Sequence, residues 1–361
     1  MGKVFQRYLL AGFIFQSVVI GGGYGTGREL AEFFLPHGPM GGLLGMVVAM
    51  AVWGVVLAVT FEFARQTGSY DYRTFFKNLL GRFWVLFEII FILEIIIALS
   101  VVGAASGELF SEAFGVPKIG GTILLLASVI ILVFYGSKAI EGFLSVWSLL
   151  LYAVYAVFLT IVLTRVGGTI AENLAQAPVS NGWIIDGVRY AGYNLAVIPA
   201  VLFVVTHLET RRQAVLSGLF AGVIAIVPAI FFYLGMSAYY PEIADAPVPA
   251  TYMLGALGVI WLSIIFKIML YGTFVETGSG LIHAVNERIA INAKERGVEL
   301  SRLIRPAVAL ILLVVSVFLA TKVGLIELVS KGYGLLTYAF ILVYIIPIMT
   351  LGLYRITRRS A

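Results

Sequence analysis

Residues 20–27 read Ile20-Gly21-Gly22-Gly23-Tyr24-Gly25-Thr26-Gly27, in the middle of an apolar segment that runs from Tyr8 to Phe34. Five glycines fall within seven residues, and each weakens a helix by about 1 kcal/mol. Small residues also let membrane helices pack closely, and Gly21 and Gly25 have that Gly-xxx-Gly spacing. Packing alone does not need five glycines, so the string reads as a break in a helix. Non-helical backbone at membrane depth survives only where protein or a water-filled cavity satisfies its polar groups, so such a break marks a site.

The rest of the chain supports the membrane setting. Of 361 residues 61% are hydrophobic and 12% charged, and the mean hydropathy is +1.02. A soluble domain carries about twice that share of charge. The apolar runs approach or exceed the roughly 20 residues that cross a bilayer as helix, which excludes a β-barrel of short alternating strands. With no cysteine, disulfides, zinc–thiolate sites and thiol catalysis are excluded. The net charge of +5 sits in short loops, where it signals orientation rather than nucleic-acid binding.

Hydropathy predicts ten spans: Tyr8 to Phe34, Met40 to Ala64, Phe83 to Phe110, Gly120 to Tyr135, Gly142 to Leu163, Ile184 to Thr206, Ala214 to Tyr239, Tyr252 to His283, Pro306 to Ala320 and Gly332 to Tyr354. A cytoplasmic N-terminus places 17 basic residues inside and six outside, which sets the orientation and returns the C-terminus to the cytoplasm. The expected location is the inner (plasma) membrane, with the lipid bilayer and a small solute as partners and no obligate protein partner. Thr67 to Gly81 reads as an amphipathic interfacial helix, and the basic loop Asn286 to Arg305 as a solvated helical extension.

The sixth span carries a matching irregularity at Gly192-Tyr-Asn-Leu-Ala-Val-Ile-Pro199. Pro199 removes a backbone donor and disfavours helix at Ile198, whereas Pro228 and Pro347 read as harmless kinks. Breaks in the first and sixth of ten spans point to two five-span repeats, residues 1–166 and 167–361, of inverted topology. The arrangement resembles the LeuT fold of the amino acid, polyamine and organocation superfamily over nearly the whole chain. The string Gly21 to Leu30, followed by Glu32-Phe-Phe, is similar to the start of the YkvI-like family of bacterial membrane proteins.

The fold class expected is therefore all-α integral membrane, and the function expected is secondary active transport of a small organic solute, an amino acid or related compound. The broken first helix would present free amides and a positive dipole end to an anionic group. The resemblance implies that an amino-acid carboxylate binds there, on Gly21, Gly22, Gly23, Tyr24, Gly25, Thr26 and Gly27, with Tyr193 and Asn194 opposite. Arg28 is expected to pair with Glu29 or Glu32.

Charges inside the spans are costly and mark function by default. Glu88, Glu94, Lys267 and Glu276 are such residues, Glu88 being near enough to an end to snorkel. Glu94 and Lys267 both fall near the midplane, and the resemblance makes spans three and eight neighbours at the central site. An ion pair between them, structural or proton-coupling, is expected. Thr273, Glu276 and Thr277 share one helical face, a set of oxygens suited to a hard cation. The resemblance implies a Na+ site completed by the carbonyls of Gly21 and Tyr24. Glu276 departs from the small hydroxyl residue usual there, which leaves Na+ coupling, H+ coupling and an interfacial carboxylate open.

Competing classes lack their motifs. There is no His-Glu-x-x-His, no Gly-x-Ser-x-Gly and no pair of membrane aspartates for an intramembrane enzyme. A channel needs a continuous polar pore and a sensor an output domain. No catalytic residue and no cofactor beyond a Na+ ion is expected.

Overall fold

The computed structural model describes residues 3–22, 24–135, 137–295 and 304–360. Among these the chain is helical throughout, with turns and no strand. The reason is the solvent: hydrocarbon offers no partner for backbone groups, and helices satisfy their own. Short helices α1 (Lys3–Tyr8), α2 (Leu10–Gly22) and α3 (Arg28–Phe33) lead into α4 (Gly38–Thr67), α5 (Tyr72–Leu80), α6 (Trp84–Phe114), α7 (Lys118–Tyr135) and α8 (Ser137–Gln176). Then come α9 (Trp183–Asn194), α10 (Arg211–Ser237), α11 (Pro249–Leu257), α12 (Ile260–Glu295), α13 (Ile304–Val323) and a helical run over Leu325–Arg358.

Seven helices among the described residues are long and apolar enough to cross a membrane, and Leu10–Ile20 and Ala307–Val323 are shorter apolar helices. The 31 residues of α6 extend about 46 Å at 1.5 Å per residue, more than the hydrocarbon core of about 30 Å. Of the ten expected spans, the first and sixth are missing from the long set because both are interrupted, and the ninth because its apolar stretch, Ala307–Val323, falls short of the length. Pro228 lies inside a continuous α10. Pro347 lies between π-helical stretches, Ile341–Ile345 and Ile348–Gly352.

The backbone packs closest between α4 and α10. A Cβ on Gly218 would stand 2.2 Å from the Ala58 nitrogen, and one on Gly222 2.6 Å from the Gly54 nitrogen. Small residues thus bring these two helices into backbone contact. The pair forms a frame against which α2 and α9 lie.

The amphipathic segment after α4 is helix α5, started by Asp71, whose carboxylate accepts from the Thr74 amide at 2.9 Å. Its apolar face turns to protein rather than lipid: Phe75, Phe76 and Leu79 are buried, and Phe75 and Phe76 meet Tyr344 edge-on. The basic segment Asn286 to Arg305 continues α12 as helix through Glu295, and residues 296–303 lie outside the described residues.

Candidate functional site

The two interruptions are built differently. Helix α2 continues through Gly22, and the chain then makes a 3-10 turn over Tyr24–Thr26. The Gly27 amide donates to the Tyr24 carbonyl at 2.8 Å, and the Thr26 hydroxyl accepts from the Arg28 amide at 3.1 Å. Gly27 has φ 82, the left-handed region, and a Cβ there would meet Phe232 and Pro249 at 2.9 Å, so only glycine fits. In the sixth span, α9 stays helical through Asn194, and 3-10 helices follow over Leu195–Ala200 and Leu202–His207. Pro199, with no N–H to give, sits inside the first of them.

Between these segments lies a cavity of about 240 Å³. Its walls include Ser17 and Val19 of α2, Glu29 of α3, Phe91 and Glu94 of α6, Tyr193, Asn194, Ala196, Val197 and Ala200 of the sixth span, Glu276 and Thr277 of α12, and Tyr333 of the C-terminal run. Glu29 is 1% exposed and Glu94 9%. The Tyr193 hydroxyl donates to the Glu29 carboxylate, while Glu29 Oε1 and Glu94 Oε2 are buried with no hydrogen-bond partner. Tyr193 and Tyr333 stack with centroids 4.5 Å apart at 6°, and Phe33 also stacks on Tyr193, at 5.5 Å and 30°. Asn194 is buried, its amide donating to the Tyr190 carbonyl at 2.9 Å.

The structure therefore brings Glu94, Tyr193, Asn194, Glu276 and Thr277 to one cavity and sends other expected residues elsewhere. Tyr24, Gly25, Thr26 and Gly27 do not line it. The Gly27 amide, one of those expected to greet an anion, is taken within the turn itself, as is the neighbouring Arg28 amide, and α3 has only six residues. Gly21 and Gly22 are the last residues of α2, so the break starts later than glycine density implies, and Gly23 lies outside the described residues. Tyr193 and Asn194 are still helical, so the sixth-span break begins at Leu195.

Lys267 is not at this cavity. It lines a second, larger groove of about 620 Å³ with Phe110, Phe114, Ile264 and Tyr271, so the expected pair with Glu94 is not formed. The reason is helical phase: Lys267 lies nine residues before Glu276 on α12, about 180° around the helix at 100° per residue. Thr273 is buried behind the cavity wall, its hydroxyl donating to the Met269 carbonyl at 2.9 Å. Arg28 reaches Glu32 at 3.4 Å and also donates to the carbonyls of Ala244 and Ala246 at 2.7 and 3.0 Å, tying the broken helix to the loop after α10.

The sequence offers Glu29 and Glu32 alike as partners of Arg28; Glu32 takes that place, and Glu29 lines the cavity, a role the sequence reading does not give it. The available signal was its place, two residues after the last glycine of the break, where an ionisable group in a span marks function by default.

No family model matches the chain. It is 21% identical over 334 residues to a protein of Bacillus subtilis (strain 168) described as the uncharacterized membrane protein YkvI, covering 90% of this chain and 91% of that one. Solved structures with the same fold include a Na+-coupled sialic acid symporter in a substrate-bound outward-open state, at TM-score 0.66 and 14% identity, covering 92% of this chain and 78% of that one. The Eremococcus coleocola manganese transporter superposes at TM-score 0.58 and 14% identity, covering 96% and 79%. Mhp1 in its inward-facing conformation gives 0.57 at 14% identity, covering 91% and 75%. The chain is a membrane protein with the fold of the LeuT-type transporters, and along nine-tenths of its length it is similar to YkvI.

Proposed function

We propose that the chain is a secondary active transporter that carries a small organic solute, an amino acid or related compound, across the plasma membrane by alternating access. The observation that carries this reading is the cavity held between two interrupted helices, because irregular backbone at membrane depth is where such transporters place their sites. Residues 1–166 and 167–361 form the two inverted repeats in this reading, each opening with its interrupted span. The N- and C-termini face the cytoplasm, on the side of the basic residues.

The driving ion is Na+ or H+. For Na+, the carbonyls of Gly21 and Tyr24 join Thr273, Glu276 and Thr277. Support comes from packing: α2 and the Tyr24–Thr26 turn lie against α12, where Leu270 Cδ1 is 3.8 Å from the place a Gly25 Cβ would take. The Thr273 hydroxyl, though donating to Met269, keeps its oxygen lone pairs for a cation. For H+, the carboxyl groups of Glu29, Glu94 and Glu276 are the carriers. Either ion drives transport only through unequal affinity for the two open states.

The test is uptake into proteoliposomes over a solute panel, with Na+ and pH gradients imposed separately. One gradient should drive accumulation above equilibrium. Accumulation under neither, for any solute, overturns the transporter reading. Uptake that Thr273→Val, Thr277→Val and Glu276→Gln each leave unchanged overturns the coupling site.

A further inference from the structure

We propose that the cargo of the central cavity is recognised by a positive charge: it is a small organic ammonium on an apolar or aromatic body, received by Glu29 and Glu94. This names the substrate class of the transporter reading and rests on it.

Three carboxyl groups, Glu29, Glu94 and Glu276, line the cavity, and among the described residues no Lys, Arg or His does. The cations that sequence places nearby are engaged elsewhere. Arg28 is held by Glu32, Ala244 and Ala246, Arg189 by Asp186 at 2.6 Å, and Lys267 lies in the other groove. Among the described lining residues an anionic cargo would meet acids and no base, and repulsion of the wrong partner sets specificity as attraction of the right one does.

The second observation is the pair of orphaned oxygens. Glu29 Oε1 and Glu94 Oε2 are each buried in side chains at least nine-tenths covered, and neither has a hydrogen-bond partner. Buried acceptors in folded proteins are almost always satisfied, so two left open on one cavity call for a donor from outside the chain. Glu29 and Glu94 line the same cavity, one from α3 and one from α6. An ammonium has three N–H donors and no acceptor, enough to serve both oxygens at once.

The remaining walls describe the body of the cargo. The volume of about 240 Å³ suits a molecule of one ring or a short chain rather than a bare ion. Among the described residues no three acids or histidines gather closely enough to hold a metal. Phe91 and Tyr333, the latter stacked on Tyr193, bring aromatic rings to the wall, and ring faces attract cations and apolar bodies alike.

The experiment uses four probes with nearly the same body and different charge: phenethylamine, phenylalanine, phenethyl alcohol and 3-phenylpropionate, with methylammonium and Mn2+ as size and metal arms. Binding to the purified full-length protein is read by thermal stabilisation and by equilibrium binding, and uptake is read separately in proteoliposomes. Phenethylamine should bind saturably and at least tenfold more tightly than the alcohol, with no binding of 3-phenylpropionate. Glu29→Gln and Glu94→Gln should each weaken phenethylamine at least tenfold, and Lys267→Gln should not. Should a Gln variant fail to fold, competition on the wild type decides: excess phenethylamine must displace any bound phenylalanine. Preference for 3-phenylpropionate, equal binding of alcohol and amine, binding of phenylalanine without phenethylamine, stabilisation by Mn2+ alone, or no binding of any ammonium probe each overturns the proposal. Saturable, glutamate-dependent amine binding without uptake of the amine under any gradient leaves charge recognition standing and sinks the transporter reading.

Discussion

Two hollows lie along α12, and the larger is not the better site. The groove around Lys267 has about 620 Å³, against about 240 Å³ for the central cavity. Its walls include Phe114, Ile260, Ile264 and Ile268, each more than half exposed, as side chains facing lipid are. Its single charge is only half-buried and can snorkel toward a polar interface. The central cavity is smaller, lies between the two interrupted spans and holds two acids with open oxygens. Volume follows how helices splay, whereas recognition needs buried polar groups placed at cost, so polarity per wall is the better guide.

The largest effect expected from this contrast is at Glu94. Glu94→Gln should lower uptake about a hundredfold, in line with the 2–5 kcal/mol of truncating one partner in a buried charge contact. Uptake kinetics of the folded variant check it, and wild-type rates would break the contrast outright. Next comes Gly27, which sets the direction of α3 and so the place of Glu29. Gly27→Ala forces a side chain into the left-handed region against Phe232 and Pro249, and should cost about 2 kcal/mol of stability, read as a lower melting temperature with impaired uptake.

A smaller effect is expected at Tyr193. Tyr193→Phe keeps the ring stack on Tyr333 but removes the donor to Glu29, a loss of about 1–3 kcal/mol for a buried acceptor left open. Because the two groups touch, a cycle with Glu29→Gln should be non-additive by about 1 kcal/mol, and strict additivity in ligand affinity would show that the contact does not matter. The smallest effect belongs to the outer groove. Lys267→Gln should leave stability within about 0.5 kcal/mol, as for a surface change, and uptake within twofold.

Helix α12 shows how far a one-dimensional reading reaches. A period of 3.6 residues fixes which neighbours share a face, and Glu276 and Thr277 line one cavity. Whether that face meets the cavity or another helix depends on the rotation of α12 against α2 and α6, which no local pattern states. Thr273 illustrates this: it shares the helical face by spacing, yet it is buried and does not line the cavity.

The same divide runs through the whole molecule. Composition and span length alone determined a helical membrane protein, because hydrocarbon leaves the backbone no other solution. Glycine density and Pro199 alone marked the two interruptions, because both act on local hydrogen bonding. Only the tertiary structure decided what the interruptions enclose. It gave Arg28 to Glu32, the second of its two expected partners, brought Glu29 to Tyr193, 164 residues away in sequence, and parted Glu94 from Lys267. Charges attract across any gap the sequence permits, but a side chain reaches only what its helix faces, and helix facing is settled by the packing of all its neighbours at once.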